Sequence, residues 1–101
     1  MKLQEHINCI NPAILNEAKI YMQSEEFVSL KSLGYYYEGF MIYENKILFP
    51  EVVVSNKNEI QKYSCDCRSK NAVCVHIAAM FLGIEIMIQA GCADYHEAVK
   101  T

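Results

Sequence analysis

Three cysteines and one histidine fall within twelve consecutive residues of this chain. Cys65, Cys67, Cys74 and His76 follow the spacing C-x-C-x6-C-x-H, whereas the other eighty-nine residues hold only two cysteines and two histidines. Thiolate sulfur and imidazole nitrogen are donors that tetrahedral Zn²⁺ prefers, and four protein ligands leave no open position for catalysis. The alternative is a set of ordinary buried thiols. The density of donors favours the metal, so the sequence predicts a structural zinc site over 65–76.

The residues around the four donors resemble the SWIM zinc finger. Members of that family carry C-x-C-x(n)-C-x-H after a strand with an aromatic residue close to the first cysteine, and before an apolar helix. Here Tyr63 precedes the first cysteine, and the apolar segment 77–82 follows His76. The resemblance spans roughly 46–83 and implies a zinc-binding module that contacts DNA or proteins. Many members have a basic residue where this chain has Val75, which weakens the expectation of a nucleic-acid contact at that position.

The length and cysteine content limit the class of protein. At 101 residues the chain can bury one modest core, and we interpret 1–101 as a single SWIM-like zinc-finger domain. Five cysteines cannot all pair, so zinc ligation in a reducing cytoplasm is favoured over a disulfide framework. The N-terminal residues are too polar for a signal peptide. The long apolar stretch 73–90 includes Glu85 and Gln89 and is interpreted as a buried helix, so no membrane contact is expected.

Local patterns predict the elements that must position the donors. Asn11-Pro12 is a favourable helix start, and apolar residues at three- and four-residue spacing continue that helix to about Gln23. Alternating β-branched and aromatic residues then predict short-connected strands. These strands are expected at about 27–33, 36–43, 46–54 and 59–64. Because Pro50 cannot donate a ladder hydrogen bond, the third strand is either an edge there or bulged.

A second helix is predicted from about Cys74 to Ala90, with Gly91 as its stop. This helix is apolar nearly all round, and the sheet and one other helix of the chain cover only part of its apolar surface. We therefore expect a homodimer or a protein partner to cover the rest. Asp94 is expected to cap a last short turn. The sequence leaves open whether 1–10 is ordered or frayed. The predicted fold is α+β: an N-terminal helix, an antiparallel β-meander of three to four strands, and a zinc-stapled C-terminal apolar helix.

Basic and aromatic residues are candidates for contact with nucleic acid or another partner. They are Lys57, Lys62, Arg68, Lys70, Tyr35, Tyr36 and Tyr37. The basic residues are interleaved with acidic ones in a chain of formal charge −3, so a solvated face is the alternative. The tyrosines offer stacking surfaces for bases, but neighbouring strand residues point to opposite faces, so we expect one ring in the core.

The function predicted from these features is non-enzymatic. The glycines do not form a phosphate-binding loop, and Cys74 and His76, two residues apart on a helix, do not face one another as nucleophile and base. We therefore expect a zinc-dependent interaction module without a small-molecule substrate, binding a protein partner or, as the second option, DNA. The alternative is a small regulatory or inhibitory protein, of the mobile-element or phage type, whose acidic surface blocks a host nucleic-acid-processing complex.

Overall fold

Four helices and one five-stranded antiparallel sheet make up the parts of the chain that the computed structural model describes, residues 1–67 and 73–100. The helices are α1 (Leu3–Asn8), α2 (Pro12–Met22), α3 (Val75–Ala90) and α4 (Tyr95–Ala98). The strands are β1 (Phe27–Leu33), β2 (Tyr36–Tyr43), β3 (Lys46–Leu48), β4 (Glu51–Val54) and β5 (Ile60–Ser64). The predicted α+β class and the order of its elements are confirmed, although the sheet has five strands rather than three or four.

Helix α3 lies at the centre of the fold. Helices α1, α2 and α4 all pack against it, and strands β2 and β4 pack against it as well. Its side chains Met80, Phe81 and Ile84 are fully buried as a result. The sequence argument for a partner on this helix assumed one covering helix, whereas the chain supplies three. Despite its apolar character, neither α3 nor any other helix within the described ranges is long and apolar enough to cross a membrane.

The first ten residues contain a helix that packs on the core. Leu3, Ile7 and Ile10 are buried, and the Leu3 N–H donates to the Asn58 carbonyl at 2.7 Å. A six-residue helix is too short to show a period, and it is not stable in isolation. The order of this segment comes from contact with α3 and with the turn before β5, which local sequence does not reveal.

The predicted third strand, 46–54, is two strands separated at Pro50. β3 and β4 both pair with β2, and the register continues unchanged across the break. Gly39 donates its N–H to the Pro50 carbonyl at 2.9 Å, but Pro50 has no N–H to return. The proline therefore interrupts the ladder without adding a residue, so the bulge is not formed. β2 is the one strand that pairs with β3 in the described residues, which makes β3 an edge.

The helix ends follow the local signals in the sequence. The Asn11 side chain accepts a hydrogen bond from the Ala13 N–H at 2.8 Å and caps α2. Gly91 has a φ of 69° and ends α3, as expected where a left-handed residue favours glycine. Asp94 accepts hydrogen bonds from the N–H groups of His96 and Glu97 and caps α4. These three predictions are confirmed because each depends on one residue and its near neighbours.

Candidate metal centre

The four predicted donors converge at one end of the sheet. Cys65 and Cys67 follow β5, Cys74 is the N-cap of α3, and His76 lies in the first turn of that helix. Their ligand atoms all lie within 4.8 Å of one another. Donors around a tetrahedral Zn²⁺ are roughly 3.5–3.8 Å apart at ordinary bond lengths, so a small contraction would bring this group to ligand spacing. The structure therefore forms a group that could hold a metal ion from the residues that the sequence predicted.

The strand before the first cysteine is fixed against α3 by an aromatic contact. The ring of Tyr63 in β5 meets the ring of Phe81 edge to face, with 5.5 Å between centroids. Tyr63 also pairs with Val52 of the neighbouring strand β4. Because Phe81 is fully buried in α3, this contact sets the separation of the two segments that carry the donors.

Cys74 joins the donor group to the start of α3. Its Sγ accepts a hydrogen bond from the Ile77 N–H at 3.4 Å and lies 3.8 Å from Nδ1 of His76. Hydrogen bonding from the Cys65 thiol lowers the pKa of Cys74 to about 4, against the opposing effect of burial. The same bond raises the pKa of Cys65. A thiolate, the form of cysteine that binds metal, is thus favoured at the helix N-terminus.

His76 is a buried polar side chain whose ring suits a metal ligand. The residue is 2% exposed, and its buried Nε2 has no hydrogen-bond partner among the residues that the structure describes. Leaving a polar atom unpaired in the interior costs about 1–3 kcal/mol. Ligation of the imidazole by a metal would offset part of that cost, so the chemistry of the ring fits a metal ligand better than an ordinary core residue.

Two tyrosines enclose the imidazole of His76. The Tyr43 ring lies 4.6 Å from it and the Tyr21 ring 5.3 Å, both edge to face. The Tyr21 hydroxyl donates to the Ile42 carbonyl at 2.6 Å, which ties α2 to β2. Burial raises the pKa of Tyr21 to about 12, and the nearby Glu44 carboxylate raises the pKa of Tyr43. The sequence patterns predicted a helix that includes Tyr21 and a strand that includes Tyr43, but no spacing pattern links either residue to His76.

The three consecutive tyrosines do not form one surface. Tyr35 is 60% exposed in the turn between β1 and β2, and Tyr36 is half-buried. A hydrogen bond to Glu51 raises the pKa of Tyr36 to about 12. Tyr37 is only 8% exposed and belongs to the core, as the alternation of strand side chains predicted for one of the three. Partner contact therefore stays a prediction for Tyr35 and Tyr36, whose rings are more accessible.

The two described basic candidates lie before and within β5, the strand that leads to the metal donors. Lys57 is exposed in the turn before β5, and Lys62 is exposed within β5. The Tyr35 carbonyl accepts a hydrogen bond from the end of β4, so the turn containing Tyr35 lies beside the turn containing Lys57. Both turns are at the end of the sheet opposite to the donors. The remaining candidates, Arg68 and Lys70, lie outside the described residues.

No protein-family model matches this chain, and no curated protein or solved structure matches it either. The resemblance to the SWIM zinc finger therefore depends on the motif itself: the spacing of the four donors, the preceding Tyr63, and the apolar helix that follows. The structure adds that these pieces meet in space.

Proposed function

We propose that this chain is a SWIM-like, non-enzymatic interaction module in which a structural Zn²⁺ links the end of β5 to the start of α3. Cys65, Cys67, Cys74 and His76 would hold the ion. The supporting observation is their convergence to within 4.8 Å of one another. A site with four protein ligands is closed to substrate, which favours a structural role over a catalytic one.

Zinc suits this donor set better than other common ions. Three thiolates and an imidazole are soft or intermediate donors, which disfavours Mg²⁺ and Ca²⁺. Structural zinc contributes about 10–16 kcal/mol of apparent binding energy in small finger peptides, as much as the whole folding stability of an ordinary domain of about 5–15 kcal/mol. A domain of this size would therefore depend on the ion for much of its stability.

Metal content and folding state test this proposal together. The purified chain is expected to contain one zinc per chain by native mass spectrometry, and to give the visible absorption of tetrahedral thiolate coordination when Co²⁺ replaces zinc. Removal of the metal by a chelator should lower the free energy of unfolding by several kcal/mol and broaden the unfolding transition, because the donor group holds two segments together. A metal-free chain with full cooperative stability would contradict the proposal.

A protein partner is favoured over DNA as the target of the module. The chain carries a formal charge of −3, and the described residues hold only two of the basic candidates, Lys57 before β5 and Lys62 within it. Phosphate binding requires clustered positive charge and weakens steeply with salt. Affinity for a captured partner should therefore fall only modestly between 50 and 200 mM salt, whereas a loss of about a thousandfold over that range would assign the partner to nucleic acid.

A further inference from the structure

A surface groove of about 290 Å³ lies directly beside the metal donors. Its apolar walls come from α2, the end of β2 and the start of α3, through Ile20, Tyr21, Tyr43 and Val75. Ile20 is 72% exposed and Tyr43 is 40% exposed. Small-molecule pockets commonly enclose about 300–1,000 Å³, so this open groove is better suited to one or two side chains of a peptide.

The rim of this groove is acidic. Glu17 and Glu26 line it, and Glu44 follows Tyr43 directly. Three thiolates with Zn²⁺ would add a net charge of −1 nearby. We call this feature the acidic groove.

Two other grooves of similar size lack this charge. One, of about 220 Å³, is lined by both Lys2 and Glu85, and another, of about 280 Å³, by both Lys19 and Glu85. The acidic groove has carboxylates on its rim and no lysine or arginine among its described lining residues. Lys46 is the cross-strand partner of Tyr43 but is not among the described lining residues. The acidic groove therefore combines exposed apolar surface with two lining carboxylates, those of Glu17 and Glu26.

We infer that the acidic groove binds a segment of a partner protein in which an apolar side chain is flanked by Lys or Arg. Exposed apolar walls favour burial of the apolar side chain, the rim carboxylates favour the cations, and the two tyrosine rings add favourable contact with ammonium or guanidinium groups. DNA is disfavoured here, because its phosphates would face carboxylates. This inference rests on the proposed interaction function and names the chemistry of its partner.

Binding in the acidic groove is expected to depend on zinc. Val75 lies between Cys74 and His76, and the rings of Tyr21 and Tyr43 contact the His76 imidazole. Three residues of the groove wall, Val75, Tyr21 and Tyr43, therefore either lie between two proposed ligands or contact one. Loss of the ion should displace these walls and weaken peptide binding, while a peptide site remote from the donors would respond less directly.

The test uses zinc-loaded full chain and three sets of fluorescent synthetic nonapeptides. One set has a central Leu or Tyr flanked by Lys and Arg, one has the same centre flanked by Asp and Glu, and one is uncharged apart from its ends. Fluorescence anisotropy gives the affinities, and amide shifts in ¹H–¹⁵N spectra locate the site. We expect the basic set to bind most tightly, with shifts at Ile20, Tyr43 and Val75.

Matched variants separate groove binding from general charge attraction. E17Q/E26Q should weaken the basic peptides roughly fivefold to tenfold, as expected for two exposed charge pairs, whereas E38Q/E85Q changes the net charge equally and should have little effect. Ile20→Lys places a cation in the groove and should abolish binding. Val99→Lys, at another exposed apolar position, is its control.

The outcomes distinguish this inference from the proposed function. Four results would each overturn the groove assignment. Two are equal binding of acidic and basic peptides and an equal loss of affinity in both double variants. The others are amide shifts confined to the turns of Tyr35 and Lys57, and no peptide binding at millimolar concentration. Shifts at those turns, or binding of a DNA oligonucleotide there, would still leave an interaction module. A chain that holds no zinc would instead overturn the proposed metal site, whatever the peptides do.

Discussion

The two ends of helix α3 are held by different kinds of interaction. At the N-terminal end, Cys74 caps the helix within a group of four polar donors, and His76 is buried between two tyrosine rings. At the C-terminal end, the helix simply ends at Gly91. There α4 packs beside it, with the Tyr95 ring 5.2 Å from the Phe27 ring. We therefore call the N-terminal end, where a metal could satisfy the polar atoms, the metal-dependent end, and the C-terminal end, held by apolar packing, the packed end.

This difference predicts which conditions disturb each end. Metal ligation competes with protons, chelators and oxidants, whereas apolar packing responds to none of them directly. The acidic groove and the buried imidazole both lie at the metal-dependent end. We therefore expect the packed end to keep its structure when the metal is removed. The structure of the metal-dependent end should change with the availability of the metal.

The largest effect is expected from removal of one donor. Cys67→Ser replaces a thiolate with a hydroxyl that is a poor zinc ligand, so we expect loss of bound zinc and a loss of stability of several kcal/mol. Hydrogen exchange should then be fastest at the amides of 75–80 and slower at those of 84–90. Cys9→Ser, at an exposed cysteine outside the donor group, is the control and should retain the metal.

An equal loss of protection along the whole of α3 would show that the two ends are not independent. Retention of one zinc per chain by Cys67→Ser would remove Cys67 from the ligand set. Both results are read from the same samples by mass spectrometry, with and without deuterium labelling.

The packed end can be broken without touching a donor. A Cβ on Gly83 would lie 2.5 Å from Cδ2 of Leu30, a fully buried side chain, so one of the two must shift. Gly83→Val should therefore cost about 1–3 kcal/mol through overpacking. We expect a lower midpoint of thermal unfolding with the zinc stoichiometry unchanged. Loss of zinc on this substitution would show that packing at the C-terminal end also determines the geometry of the donors.

Local signals predicted the packed end more completely than the metal-dependent end. Gly91 and Asp94 act through one or two neighbouring residues, so sequence spacing was sufficient to place them. The four donors were predicted because they lie within one short segment. The two tyrosines around His76 come from α2 and β2, which are distant from it in sequence. The packing of α1 on α3 likewise depends on contacts distant in sequence. No periodic pattern in the sequence therefore predicts either feature. Pro50 showed where the ladder would be interrupted but not that the register would continue.

A smaller effect is expected from the aromatic contacts at the metal-dependent end. Tyr43→Ala removes the ring 4.6 Å from the His76 imidazole, an edge-to-face contact of a type that contributes about 0.5–1.5 kcal/mol. We expect zinc affinity to fall roughly twofold to tenfold in competition with a chromophoric chelator. Tyr35→Ala, at the opposite end of the sheet, is the matched control. An equal fall in both variants would indicate a general loss of stability rather than positioning of the imidazole.

The smallest effect is expected at the stop of α3. Gly91 has a φ of 69°, where a Cβ destabilises the folded chain by about 1–2 kcal/mol. Alanine also reduces the conformational freedom of the unfolded chain, which offsets about 0.4–1 kcal/mol of that cost. Gly91→Ala should therefore lower the free energy of unfolding by only about 1 kcal/mol in urea titrations. Within the described parts of the chain, no residue beyond the local backbone comes within 4 Å of the added Cβ, so the cost is conformational and the packing of α4 should be unchanged. Because the substitution is remote from the donors, zinc affinity should stay the same, and a measurable change in that affinity would mean that strain at one end of α3 reaches the other.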